Sequence, residues 1–244
     1  MKKEQLLVTI ITPCFNSEKT IEKTLKSVLN QTYHNIEYII VDGASKDRTM
    51  DIVKSYGKKF EGRMKWVSEQ DEGIYYAMNK GIAMASGELV GIVNSDDFYE
   101  PDAVEKMVEA RSNVAYQILY GFERTLVDGK EASIVIHNHE CLDRQMITHP
   151  TCFVTKKLYE DLGTFNTDYR YSSDYEFMLR MFHSGKVEFT PVYALISNFA
   201  LGGASGTVKG YRETNRLKYE YHLISKARYR FVDIKCAINI FLRR

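Results

Sequence analysis

The sequence predicts an α/β protein organised around a mainly parallel sheet. Three observations carry that prediction. Short β-branched apolar runs alternate with amphipathic stretches through the first half of the chain. Their spacing suits right-handed crossovers. Polar clusters follow several of the runs directly, where ligands bind in such sheets, beyond the carboxyl ends of the strands.

Leu6–Thr12 is an apolar run bounded by Pro13 and reads as a buried strand. Ser17 is an N-cap candidate for a helix to about Leu29, with Ile21, Leu25, Val28 and Leu29 on one face. Ile36–Val41 is a second strand, and Asp47 caps a helix carrying Met50, Ile52 and Val53. Met64–Val67 is a third strand, and Ile74–Met84 is helical, stopped by Ser86-Gly87. Leu89–Val93 is a fourth strand, and Pro101 stands at the first position of the next helix.

After Val114 the pattern changes. Gln117–Tyr120 reads as a strand, Val127-Asp128-Gly129-Lys130 as a hairpin turn and Cys152–Val154 as a short apolar strand. Ser173 or Asp174 opens a helix through Met181, and Val187–Thr190 and Val192–Asn198 read as two strands. Leu201 to Gly206 is a glycine-rich loop, and the chain is helix-like from about Lys209. The expected division is one α/β body, 1–206, with halves at about 1–112 and 113–206, followed by a basic tail, 207–244.

Composition sets limits on partners. Net charge is +1, which gives no global field for nucleic acid. The charge is uneven, however: residues 207–244 hold ten basic and three acidic side chains, leaving a mildly acidic body. This tail also carries Tyr211, Leu217, Phe231, Ile234 and Ile238. The mixture suits an interfacial helix on anionic lipid, or a helix packed on the body or on a second copy in a homodimer. Four dispersed cysteines without a CxxC pair favour a reducing compartment. No signal-like region is seen at the N-terminus, and no apolar run approaches the roughly 20 residues of a membrane span. A cytoplasmic protein is expected, peripheral at the inner membrane face if the tail docks there.

Three polar clusters end strands: Thr12-Pro13-Cys14-Phe15-Asn16, Asp42-Gly43-Ala44-Ser45 and Asn94-Ser95-Asp96-Asp97. Paired carboxylates after a buried strand are costly unless neutralised, and a hard divalent cation is the natural partner. Alone, Ser95-Asp96-Asp97 reads as a solvated turn with a helix cap; the apolar strand before it and the two other polar strand ends shift the reading toward a site. Asp42 can accept hydrogen bonds from a base or ribose, or simply shape the turn before Gly43. Asp174 reads as a first-turn acid of its helix or as a general base. His137-Asn138-His139 lacks a third close ligand and reads as a loop, and His149 has no assigned role.

Taken in order, these segments resemble family 2 glycosyltransferases, inverting enzymes with the GT-A fold, over about Leu7 to Gly206. Val8 to Asn16 resembles the opening strand and nucleotide loop, and Glu37 to Asp47 the second loop, where the aspartate meets the uracil. Asp71 to Gly81, which includes Asn79, is similar to the segment bordering base and diphosphate. Ser95-Asp96-Asp97 resembles the metal motif, and Asp174, followed by Glu176 and Leu179-Arg180, falls where the catalytic base is expected. Leu201 to Ser205 resembles the late glycine loop near the acceptor. Asn94 and Met78 depart from the pattern, standing where many members have aspartate and arginine; both departures occur in the bacterial surface-polysaccharide branch.

The resemblance implies a nucleotide-sugar donor, a UDP-hexose or UDP-N-acetylhexosamine, and a glycan or lipid-linked acceptor. It implies Mg²⁺ or Mn²⁺ held mainly by Asp97, with Asp96 on ribose or metal. Donor contacts would come from Thr12, Pro13, Asn16, Asp42, Asp71, Asn79 and Asp96. Asp174 would be the base. A sugar nucleotidyltransferase would need a glycine-rich loop after the first strand, which Thr12 to Asn16 lacks, and a dinucleotide oxidoreductase would need GxGxxG. A nucleotide-sugar binding module without transfer is the remaining alternative.

Overall fold

A computed structural model describes residues 6–201 and 207–242. The first half alternates as expected: β1 (Val8–Cys14), α1 (Ile21–Leu29), β2 (Ile36–Asp42), α2 (Thr49–Tyr56), β3 (Met64–Ser68), α3 (Ile74–Met84) and β4 (Leu89–Ile92). β5 (Phe98–Tyr99), α4 (Ala103–Ala110), β6 (Gln117–Val127), β7 (Lys130–Val135), β8 (Phe153–Thr155), α5 (Lys156–Leu162), α6 (Ser173–Ser184) and β9 (Glu188–Ala200) follow. Two helices close the described chain, α7 (Val208–Glu220) and α8 (Lys226–Leu242).

The strands form one sheet in the order β3-β2-β1-β4-β8-β6-β9-β5, with β7 paired on β6. β1 runs parallel to β2 and β4, and β2 parallel to β3, so their carboxyl ends share one edge. β8 enters antiparallel between β4 and β6 and joins the two halves.

Alternation along β1 and β2 divides the apolar residues between two cores. Ile10, Tyr38 and Ile40 pack with Leu25 and Val28 of α1, Val53 of α2 and Met107 of α4. Ile11, Ile39 and Val41 face the other way, with Met78 and Ile82 of α3 and Phe177 of α6. α3 approaches the sheet closely at Gly81, where an added Cβ would lie 2.4 Å from Ile11 Cγ2. Glu37, buried beside this packing, accepts from Thr9 Oγ1, Lys65 Nζ, Ser86 N and Ser86 Oγ.

Three local expectations need correction. α1 starts at Ile21 rather than just after Ser17, because residues 17–20 form a turn whose first residue is spent on tertiary bonds: Ser17 N donates to Thr49 Oγ1 and its hydroxyl pairs with Ser95. The two short strands expected around Pro191 are one, β9. Pro191 opposes Tyr120, and the β6–β9 register shifts immediately beyond it, between Tyr120 and Phe122 and again before Glu123. Such irregularity lets a sheet accommodate a residue with no N–H to give. α4 begins at Ala103, two residues after Pro101.

The basic stretch after residue 207 divides into two packed helices. Leu217 of α7 is fully buried within the larger core. α8 packs on α7 through an Arg212–Asp233 ion pair, a bond from Asn215 Nδ2 to Tyr229 O, and stacking of Tyr219 on Tyr229. The glycine loop expected at 201–206 lies, after Leu201, outside the described residues.

Candidate active site

The carboxyl ends of β1, β2 and β4 open into a cleft of about 700 Å³. Its walls bring together residues far apart in sequence, among them Phe15, Asp71, Asp96, His149, Arg170 and Asp174. A smaller groove of about 540 Å³ adjoins it, sharing Phe15, Ser95 and Asp96 and adding Asn16, Ser17 and Asp47.

Loop-to-loop hydrogen bonds fix this edge. Asn16, in left-handed backbone at φ 49°, donates its N–H to Ser45 Oγ and accepts from Lys46 N through its side chain. Ser17 Oγ lies 2.7 Å from Ser95 Oγ, linking the end of β1 to the end of β4. Asp42 is fully buried below the cleft. Its carboxylate accepts from Ser45 N, Ser45 Oγ and Ser68 Oγ and shapes the loop whose Gly43, Ala44 and Lys46 form the wall. Gly43 leaves room for the Phe15 ring: an added Cβ would lie 3.3 Å from Phe15 Cδ2.

The adjacent carboxylates of the Asn94 cluster point to different environments. Asp96 is exposed on the cleft wall, although the surrounding protein still raises its pKa by desolvation. Asp97 is 1 % exposed and lines neither cavity. Its Oδ1 accepts from Ala200 N at 3.0 Å and its Oδ2 from Asn94 Nδ2 at 3.1 Å. Burial and the neighbouring Asp96 charge push the Asp97 carboxyl up to about 8. Asp97 therefore ties the end of β4 to the end of β9, and Asp96 is the carboxylate open to a ligand. Asn94 also lines the cleft, and its Oδ1 is buried without a hydrogen-bond partner among the described residues.

Asp174, also in the cleft lining, sits in the first turn of α6. Its Oδ1 accepts from Tyr75 Oη at 2.8 Å and from Tyr175 N at 2.9 Å, leaving Oδ2 without a hydrogen bond among the described residues. Burial and the Asp174 charge hold the Tyr75 phenol well above its ordinary pKa, so it stays a donor. His149 lies in the same wall, edge-on to Phe165 at 5.5 Å, and burial lowers its pKa, so the ring is neutral at pH 7. Asp71 completes the wall. Its Oδ1 pairs with Lys80 at 2.7 Å, whereas its buried Oδ2 has no partner among the described residues.

The residues singled out in the sequence thus fall into two groups. Pro13, Asp71, Asp96 and Asp174 line the cleft, and Asn16 lines the adjoining groove. Thr12, Asp42, Asn79 and Asp97 line neither. Thr12 Oγ1 is 3.0 Å from Tyr38 Oη inside the core, and Asn79 braces Phe165 by donating to its carbonyl and accepting from its N–H. Sequence reasoning gave no role to Phe15, Lys46, Arg170 or Tyr171, all of which line the cleft. A signal existed for the last two, which stand four and three residues before Asp174.

The described residues contain no group of three or more His, Cys, Asp or Glu side chains able to hold a metal. The hard oxygens of Asp96 and the unpartnered Asn94 Oδ1 nevertheless suit a cation that completes its shell with water and substrate phosphates.

Comparison with known proteins agrees with this geometry. Residues 9–165 match the family model for Glycosyl transferase family 2. An uncharacterized glycosyltransferase of Mycobacterium tuberculosis is 36% identical over 180 residues, covering 71% of this chain and 68% of the relative. Chondroitin synthase of Escherichia coli is 28% identical over 211 residues, covering 83% of this chain but 30% of the synthase. The structure of S. aureus TarS 1-349 in complex with UDP-GlcNAc superposes with a TM-score of 0.70 at 18% identity, covering 95% of this chain and 72% of that one. Architecture, cleft and sequence match together identify the chain as a member of glycosyltransferase family 2, with the GT-A fold.

Proposed function

We propose that the chain transfers a sugar from a UDP-hexose or UDP-N-acetylhexosamine to a hydroxyl of a glycan or lipid-linked acceptor, inverting the anomeric centre. The observation that carries this reading is one cleft lined by both Asp96 and Asp174, the latter with Oδ2 free of hydrogen bonds among the described residues. Chondroitin synthase as a relative supports a polysaccharide setting, and the UDP-GlcNAc complex of TarS supports a UDP-sugar donor.

In this reading the nucleobase rests on Phe15, which is 61% exposed at the cleft, and Asp71 Oδ2 accepts a hydrogen bond from base or ribose. Asp96 and Asn94 Oδ1 would hold Mg²⁺ or Mn²⁺, which would offset the charge of the leaving diphosphate. Lys46 adds positive charge to the wall where Met78 offers none. Asp174 Oδ2 takes the proton of the acceptor hydroxyl. The acceptor hydroxyl oxygen, thus deprotonated, bonds to the anomeric carbon as the bond to the diphosphate oxygen breaks on the opposite face.

Release of UDP from UDP-glucose, UDP-galactose and their N-acetylated forms, measured with Mg²⁺ or Mn²⁺ and with lipid-linked acceptors, tests the reading. Asp96→Ala and Asp174→Asn should each lower turnover by roughly 100-fold or more. Wild-type rates in both variants would overturn it. Metal-dependent UDP binding without transfer to any acceptor would favour a binding module instead.

We also propose that the last helix docks on anionic membrane at the inner face of the cytoplasmic membrane. Phe231, Ile234 and Ile238 form an exposed apolar stripe on α8, and Lys226, Arg228, Arg230 and Lys235 are exposed on the same helix. No helix among the described residues is long and apolar enough to cross a membrane.

A further inference from the structure

The segment that carries Asp174 is held by a side chain from the C-terminal region. Glu213 of α7 accepts three backbone N–H groups: Arg170 N at 3.0 Å through Oε2, and Tyr171 N at 2.6 Å and Ser172 N at 2.9 Å through Oε1. These amides immediately precede α6, where backbone donors have no partner within the helix. The two oxygens of a single carboxylate accept all three bonds.

Neighbouring contacts reinforce the attachment. Ser172 Oγ lies 2.8 Å from Thr214 Oγ1, and Tyr169 Oη donates to Glu220. The Arg216 guanidinium covers the Tyr169 ring at 4.7 Å, and Tyr221 Oη donates to Glu176 at 2.9 Å. Arg170 and Tyr171 line the cleft, and Asp174 begins two residues beyond the last clamped amide. The family match ends at residue 165, so neither Glu213 nor the segment it clamps falls within it.

We propose that Glu213 is a positioning residue for transfer: it fixes Arg170 and Tyr171 on the cleft wall and sets the start of α6, and so the direction of the Asp174 carboxylate. This rests on the assignment of Asp174 as base. Binding of the nucleotide at Phe15 and Asp71 lies on other elements and does not depend on the clamp.

The test combines hydrogen exchange, calorimetry and turnover on the full chain. In Glu213→Ala the amides of Arg170, Tyr171 and Ser172 should exchange faster. Its kcat should fall roughly 30-fold, the scale of a small misplacement of a reacting group, while the Kd for UDP with Mn²⁺ stays within about twofold. Glu213→Gln keeps an oxygen for Tyr171 and Ser172 and loses only the acceptor for Arg170. Faster exchange should then be confined to Arg170, with kcat between wild type and Glu213→Ala; this variant carries the test if Glu213→Ala does not fold.

Wild-type kcat in the Glu213 variants, with Asp174→Asn inactive, would overturn the positioning role alone. Loss of UDP binding in step with kcat would reduce Glu213 to a general structural contact and overturn it as well. Full activity in Asp174→Asn would overturn both the base assignment and the inference built on it.

Discussion

Asp96 and Asp97 are adjacent acids with the same intrinsic chemistry, and their surroundings separate them. The family resemblance implies Asp97 as the main metal ligand, but its carboxylate is buried and bonded to Ala200 N and Asn94, while Asp96 is open to the cleft. Asp42 and Thr12 show the same effect: residues of the right type at strand ends that serve the wall from behind. Another buried acid, Glu37, carries a prediction. Burial alone would raise its pKa, but hydrogen bonds from Lys65, Ser86 and Thr9 outweigh that and bring it down to about 2. A carboxylate lowered in the folded state stabilises fully above its unfolded value near 4.5 and loses that contribution as pH falls toward 2. Glu37→Gln should cost on the order of 2 kcal/mol at pH 7, allowing for the exposed Lys65. The gap from wild type should close between about pH 4.5 and pH 2 in urea titrations. A gap independent of pH would contradict the assignment.

At the scale of elements, local chemistry was readable where local rules decide. The β6–β7 turn places Asp128 at φ 50° and Gly129 at φ 76°, the backbone that Asp-Gly favours between paired strands. α3 spans Ile74–Met84 as its periodicity suggests. Its packing was not readable, because Gly81 looks like a weak point in a helix until Ile11 is seen against it. Replacing Gly by Ala in a helix gains about 1 kcal/mol of propensity. Here the added Cβ would meet the fully buried Ile11, and overpacking of this kind costs about 1–3 kcal/mol. Gly81→Ala should therefore be destabilising overall, seen as a lower urea midpoint; a higher midpoint would show that Ile11 moves freely. Pro191 predicts a break between two strands, yet β9 is continuous, because the register shift that accommodates the proline belongs to its pairing with β6.

For the whole molecule, the C-terminal region is a structural part of the site as well as a charged surface. α7 places Leu217 in the main core and Glu213 under the cleft wall, whereas α8 contacts chiefly α7. Two truncations should then behave differently. Removing residues 226–244 should leave a folded chain that binds UDP but no longer sediments with phosphatidylserine vesicles. Removing residues 207–244 should also lower Tm by several degrees, because it strips a fully buried leucine from the core. Unchanged sedimentation after the shorter deletion, or association of the chain into dimers through α8, would redirect the exposed stripe from lipid to protein.

Length, strand–helix alternation and polar strand ends determined the fold class and the edge on which the site lies, because burial periodicity and turn chemistry are local properties of the chain. The order of motifs from Thr12 to Asp174 determined the family. Tertiary structure alone decided which of two neighbouring aspartates faces the cleft, which glycine is a packing contact, and which tail acid clamps the segment leading into α6. Each of those depends on partners many residues away: Ala200 for Asp97, Ile11 for Gly81, and Arg170 to Ser172 for Glu213.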